Sequence, residues 1–126
     1  MKEILTLILI TLFSLNSRCQ RIDWNTQDNC HQQLINYHDN GSIKEVGCFS
    51  SDLKRVGKWH FFSPEGVTLA LVSFDNLGKK HGDWKIWSDL GQLKAHMKYD
   101  HGKRIGIWIA VLEDGTVQEK KYTNNE

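Results

Sequence analysis

The stretch GDWKIWSDLGQLKAHMKY, from Gly82 to Tyr99, decides the fold. It alternates residue by residue. Trp84 and Ile86 fall on one side of an extended chain, and Asp83 and Lys85 fall on the other. After Asp89-Leu90-Gly91 the alternation resumes, with Leu93, Ala95, Met97 and Tyr99 against Gln92, Lys94, His96 and Lys98. Period-two alternation over such lengths marks half-buried strands. The turn between them ends in a glycine, which supplies the positive φ that a tight hairpin needs. The stretch therefore reads as a β-hairpin.

The same hairpin stands on both sides of it. Upstream are Gly57-Lys58-Trp59, Gly66 and Phe74, and downstream are Gly106-Ile107-Trp108, Gly115 and Tyr122. The G-x-W glycines at 57, 82 and 106 lie 25 and then 24 residues apart, and the turn glycines 66, 91 and 115 keep the same spacing. A degenerate copy comes first: Tyr37, Gly41 and Phe49 are in phase, but Gln32-Gln33-Leu34 replaces the G-x-W. Terminal repeats are commonly atypical because one side has no neighbour. The repeats run over about 32–56, 57–81, 82–105 and 106–126, after a lead-in at 20–31 that holds Trp24 as a possible cap. The predicted fold is all-β: stacked antiparallel β-hairpin repeats forming an elongated twisted sheet. Its buried apolar area is expected from the column Trp59, Trp84 and Trp108 and the column Phe49, Phe74, Tyr99 and Tyr122, since each aromatic buries about 150–250 Å². The composition agrees, with 10 Gly, 5 Trp and 1 Pro in 126 residues.

G-x-W, a turn glycine, an aromatic and a Gly-basic connector resemble the variant MORN repeat of bacterial proteins, many of them labelled YwqK-type antitoxins. The likeness covers about residues 32–122. It implies stacked hairpins used for protein or lipid contact rather than catalysis, and an antitoxin-like role by family label alone. Two departures stand out. The connector glycine is present as Gly78 and Gly102 but missing after Phe49, where Ser51-Asp52 stands. The second departure is Val67, Leu69 and Leu71, which are apolar where the next repeat has Gln92, Lys94 and His96. These three either lie under the lead-in or form an exposed patch for a partner.

The first residues follow another logic. Ile4 to Leu15 is an apolar run behind Lys2, shorter than the ~20 residues of a membrane span. It fits the core of a secretory signal peptide over residues 1–19, followed by Asn16-Ser17-Arg18-Cys19-Gln20. The protein is expected to be exported, to the periplasm, the cell envelope or the medium. Cleavage near Cys19/Gln20 competes with lipid anchoring at Cys19, and Arg18 argues against the lipid because a small residue is wanted there. Cys30 and Cys48 remain as an even pair, which oxidising compartments favour as a disulfide. A hairpin that sets Tyr37 beside Ser42 puts Cys30 nearly opposite Cys48, close to the ~5.5 Å Cα separation a bridge needs.

Without residues 1–19 the chain has as many acidic as basic side chains. Global charge thus predicts no attraction to nucleic acid. Local charge is patterned. The connectors carry Lys54-Arg55, Lys79-Lys80 and Lys103-Arg104, again in phase, while the hairpin turns carry Asp39, Glu65, Asp89, Glu113 and Asp114. Stacking would line the pairs up roughly 10 Å apart as a basic edge, tempered by Asp52, Asp75 and Asp100. Charged loops that keep the array soluble are one reading; a ridge for an anionic partner is the other. The six histidines show no close helical spacing of a zinc hydrolase, and no metal site is expected, although Asp100-His101 could touch an ion. No nucleophile elbow or phosphate-binding loop is present, no cofactor is implied, and the chain is not expected to be an enzyme. The leading expectation is an exported module that binds a protein. A membrane-surface module reading anionic headgroups through the basic edge is the alternative, and an antitoxin-like neutraliser is a third.

Overall fold

The structure is a computed structural model and describes residues 29–123. The expectations for the signal peptide, Cys19 and Trp24 lie outside the described residues. The described chain is all-β. Its strands are β1 (Gln32–Tyr37), β2 (Ile43–Phe49), β3 (Arg55–Phe62), β4 (Thr68–Phe74), β5 (Gly82–Trp87), β6 (Leu93–Asp100), β7 (Lys103–Val111) and β8 (Val117–Tyr122). They form one antiparallel sheet in chain order, open at β1 and β8. Each sequence repeat is one hairpin. The strands begin earlier than the repeat boundaries suggest, so Arg55, Lys103 and Arg104 are strand residues rather than connector residues.

One turn closes every hairpin. In the third, Gly91 N–H donates to Ser88 O (3.0 Å) and Ser88 N–H to Gln92 O (2.8 Å). This is a three-residue loop ending in a left-handed glycine. His38, Ser63 and Leu112 begin the same arrangement in the other hairpins. The connectors come in two lengths, which explains the change of spacing. Asp75 and Lys79 close a longer loop, with Asp75 N–H on Lys79 O at 2.8 Å. Asp100 pairs directly with Lys103, leaving His101 and Gly102 at φ 45 and 89 as a two-residue turn. The third connector is thus one residue shorter than the second.

The glycine missing from the first connector is replaced by Leu53, which takes φ 63 where Gly78 takes φ 79. A left-handed conformation costs an ordinary residue about 1–2 kcal/mol. Leu53 is 73% exposed and so loses little packing when removed. Leu53→Gly is expected to raise stability by about 1 kcal/mol, after glycine's own entropic cost is subtracted. Denaturant unfolding of the variant checks this, and an unchanged midpoint would mean that the strain is relieved elsewhere.

The G-x-W glycines do more than start strands. Gly57, Gly82 and Gly106 have φ 66, 82 and 69. Cys48 faces Val56 and Val46 faces His60, so four residues of β3 span two of β2. Lys98–Ile105 and His96–Ile109 repeat this between β6 and β7. Each glycine therefore sits in a bulge against the preceding strand, which re-aims the tryptophan that follows.

The tryptophan column is not buried evenly. Trp59 is fully buried, with Val46, Val56, Cys48 and Val72 around the same hairpins, whereas Trp84 and Trp108 are half-buried. All described strands belong to a single sheet, so no second layer made of them covers the later repeats. The exception at Trp59 is local: a Cβ on Gly47 would stand 2.0 Å from the Trp59 ring. Val72 and Met97 occupy the equivalent places beside Trp84 and Trp108. With no side chain at 47, the Trp59 ring settles onto the strand.

Cys30 and Cys48 are joined by a disulfide with Cα atoms 5.5 Å apart. The register that brings them together differs from the one read in the sequence. Tyr37 pairs with Ile43 rather than Ser42, and Cys48 faces Gln33. A three-residue turn and a bulge at Asn36/Tyr37 shift the pairing, and Cys30 reaches Cys48 from the turn before β1. The closed loop spans 18 residues, for which the chain-entropy relation gives roughly 3 kcal/mol. Reduction, or Cys48→Ser, is expected to lower stability by about that amount. Paired denaturation curves with and without reductant check it; coincident curves would remove the bridge from the forces holding the first hairpin.

Candidate aromatic face

The bulges place the tryptophans, their aromatic partners and one member of each basic pair on one face. The rings form a row. Phe49 meets Trp59 at 5.1 Å, Phe74 meets Trp84 at 5.2 Å, and Trp84, Tyr99, Trp108 and Tyr122 follow at 5.5, 5.0 and 4.7 Å. These separations lie in the favourable range for aromatic pairs. The later tryptophans are anchored by polar bonds. Trp84 Nε1–H donates to Ser73 O at 2.9 Å, and Trp108 Nε1–H to Lys98 O at 3.0 Å. Trp59 Nε1 is buried without a partner among the described residues.

The basic pairs divide. Arg55 lies 4.3 Å over Trp59, Lys80 4.7 Å over Trp84, and Arg104 5.2 Å over Trp108. Each cation stands four residues before its tryptophan, a span of ~13 Å in a straight strand. The left-handed glycine between them shortens the path, and the long side chain covers the rest. Such contacts contribute about 0.5–1 kcal/mol each when exposed. The other members stay on the connector edge. Lys54 pairs loosely with Asp52 at 3.5 Å, and its stem packs on Gly78, where a Cβ would come within 3.0 Å. Lys79 packs the same way against Gly102. The six cations therefore do not make one ridge, because Arg55, Lys80 and Arg104 lean across the rings. The fixed spacing of cation and tryptophan was visible in the sequence, but reading the pairs as loop residues hid it.

Beside the row of rings lies a trench of about 510 Å³ lined by Ala95, Met97, Trp108, Ala110, Gln118 and Lys120. Ala95 and Ala110 face each other across β6 and β7, so the floor is shallow where the neighbouring walls are tall. The alternation in the sequence put Ala95 and Met97 on the apolar side of a half-buried strand but did not foresee the trench. On the opposite face, Val67 and Leu69 are half-buried and Leu71 is 39% exposed, across from His60 and Lys85. The three do not make a continuous exposed patch. The hairpin turns hold Asp39, Glu65, Asp89, Glu113 and Asp114 exposed on the edge away from the connectors.

Electrostatics are local. The hydrogen bond from Ser50 holds Asp52 below its ordinary pKa. The bond to His96 does the same for Asp83, with Oδ1 and Nε2 2.9 Å apart. Burial acts to raise Asp75, but His101 and the backbone N–H groups of Lys79 and Leu77 leave it lowered. Asp114 is lowered by Thr116. Burial lowers His60, whose Nε2 stands 2.9 Å from Thr68 Oγ1. Compared with family models, curated proteins and solved structures, the chain finds no match.

Proposed function

We propose that this chain is an exported, non-enzymatic β-hairpin repeat protein that binds another protein through the aromatic face of its sheet. The trench beside Trp108 carries this reading: an apolar floor, a tryptophan and a methionine in the wall, and an amide and a cation at the rim. Protein interfaces are enriched in Trp, Tyr, Met and Arg at their centres and polar at their rims. The non-enzymatic part rests on the sequence, in which no nucleophile elbow or phosphate-binding loop is found. Export rests on the apolar run at Ile4 to Leu15, and the likeness to variant MORN repeats points to the same kind of use. The membrane-surface reading draws less support, because only Lys54, Lys79 and Lys103 of the six cations stay on the connector edge. The antitoxin reading has the family label alone.

The test fills the trench. Ala110 is exposed, so Ala110→Arg changes the floor without opening the core. Wild type and variant are immobilised side by side and offered the envelope fraction of the producing cell. A partner held by the wild type and weakened about tenfold or more by Ala110→Arg supports the proposal. Equal retention on both would sink it, as would binding of the wild type to anionic liposomes that depends on Lys54, Lys79 and Lys103.

A further inference from the structure

The second and third connectors bring together residues far apart in sequence. His81 ends one connector, and Asp100 and His101 stand at the next. The two imidazole rings stack with centroids 4.3 Å apart. Asp100 Oδ1 lies 3.8 Å from His81 Nδ1 and 3.8 Å from His101 Nε2. The three ligand-type atoms lie within 4.8 Å of one another. From these residues we infer a site for a divalent transition-metal ion of the zinc class, held by His81, Asp100 and His101. It departs from the expectation of no metal, which saw Asp100-His101 but not the return of His81.

The chemistry fits such an ion. Two imidazoles and a carboxylate suit zinc and its neighbours, whereas magnesium and calcium favour oxygen alone. Bonds of about 2.0–2.2 Å in a tetrahedron hold ligand atoms ~3.4 Å apart. The Asp100 contacts at 3.8 Å need to close by only a few tenths of an ångström, but the two rings, stacked with centroids 4.3 Å apart, must unstack and turn so that both lone pairs meet one ion. The fourth position stays open to water.

The surroundings orient these groups. Asp75 Oδ2 lies 2.7 Å from His101 Nδ1. A proton on that nitrogen leaves the Nε2 lone pair facing Asp100. A carboxylate behind a histidine is the usual second contact of a metal ligand. Asp75 is itself fixed, accepting N–H bonds from Leu77 at 2.9 Å and Lys79 at 2.8 Å through Oδ1. His81 Nδ1 accepts the His101 backbone N–H at 3.1 Å, so it too presents a lone pair to the cluster. The ion would displace that bond. His101 also holds φ 45, an uncommon conformation for an ordinary residue and one that clusters at functional sites. A bound ion would clip the second connector to the third turn and fix adjacent hairpins at that edge.

The test uses the full chain, purified without a histidine tag and stripped of metal with a chelator. Zinc chloride is titrated by calorimetry while histidine ring signals are followed by NMR. One ion is expected per chain, moving the His81 and His101 signals, with no uptake of magnesium. His101→Asn removes the ligand while creating Asn-Gly, the favoured pair for this turn, so folding is not at risk. It is expected to abolish the binding, as is His81→Ala. Asp75→Asn is expected to weaken it about 10- to 100-fold, the usual effect of losing an orienting carboxylate. No zinc uptake by the wild type, equal uptake by His101→Asn, or movement of other histidine signals instead would each overturn the assignment.

Discussion

Trp59→Ala is expected to cost about 3–5 kcal/mol, the upper range for losing a large buried aromatic. Trp59 is fully buried, and Phe49 and Phe61 pack on it at 5.1 and 6.3 Å. The Arg55 guanidinium over its face loses its partner as well. Part of the loss is offset, because the variant no longer buries an Nε1–H without an acceptor. In the sequence Trp84 would be the natural choice for this role, since its repeat is the most regular and has a neighbour on each side. Trp84 is half-buried, and Trp84→Ala should cost less than Trp59→Ala. Urea unfolding of the two variants ranks them, and a reversed order would place the core in the third hairpin.

Gly47→Val is expected to cost nearly as much, although it adds atoms rather than removing them. Its Cβ would stand 2.0, 2.3 and 2.4 Å from three atoms of the Trp59 ring. Either the ring leaves its place or the strands part. Expulsion of the ring sets a scale of about 3–5 kcal/mol, since it forfeits what Trp59→Ala forfeits. The decisive measurement is the double-variant cycle. In the Trp59→Ala background Gly47→Val should cost almost nothing, because the next repeat already carries Val72 at the equivalent place. Additive losses would show that Gly47 matters for its backbone and not for the ring above it.

The architecture was legible because its signals are local. Alternation from Trp84 to Tyr99, a glycine at the end of each turn and a recurring phase fix the hairpins without distant information. The site was less legible because it depends on how neighbouring strands pair. Gly57 reads the same whether it begins a strand or bulges against the strand before it, and only the pairing of Cys48 with Val56 decides. That one uncertainty moved Arg55, Lys80 and Arg104 from an edge onto the rings. Gly47 gave no signal at all, since it stands outside every repeating column of glycines. Leu53 gave the opposite of a signal, an ordinary residue in a glycine conformation. The two-residue shift in the first hairpin came from its bulge and turn, yet the cysteines still met because Cys30 lies outside the strand and could reach back.

The strand order, identical to the chain order, has a dynamic consequence. Among the described residues each strand touches only its sequence neighbours, so no other described strand holds a hairpin in place beyond the two that flank it. Such an array need not open all at once. Its opening free energies form a gradient along the chain, as in other one-dimensional arrays. The disulfide and Trp59 anchor the steep end at β2 to β4. Both end strands have five of six residues exposed and one neighbouring strand, but the disulfide ties down β1, which leaves β8 as the shallow end. Fraying would begin there and travel inward, past the trench beside Trp108, before it reached the buried core. The surface proposed to meet a partner thus occupies the least protected stretch of the sheet. A partner seated across β6 to β8 would supply the cohesion that this end lacks, and its arrival and the ordering of the terminal hairpin would be one thermodynamic event.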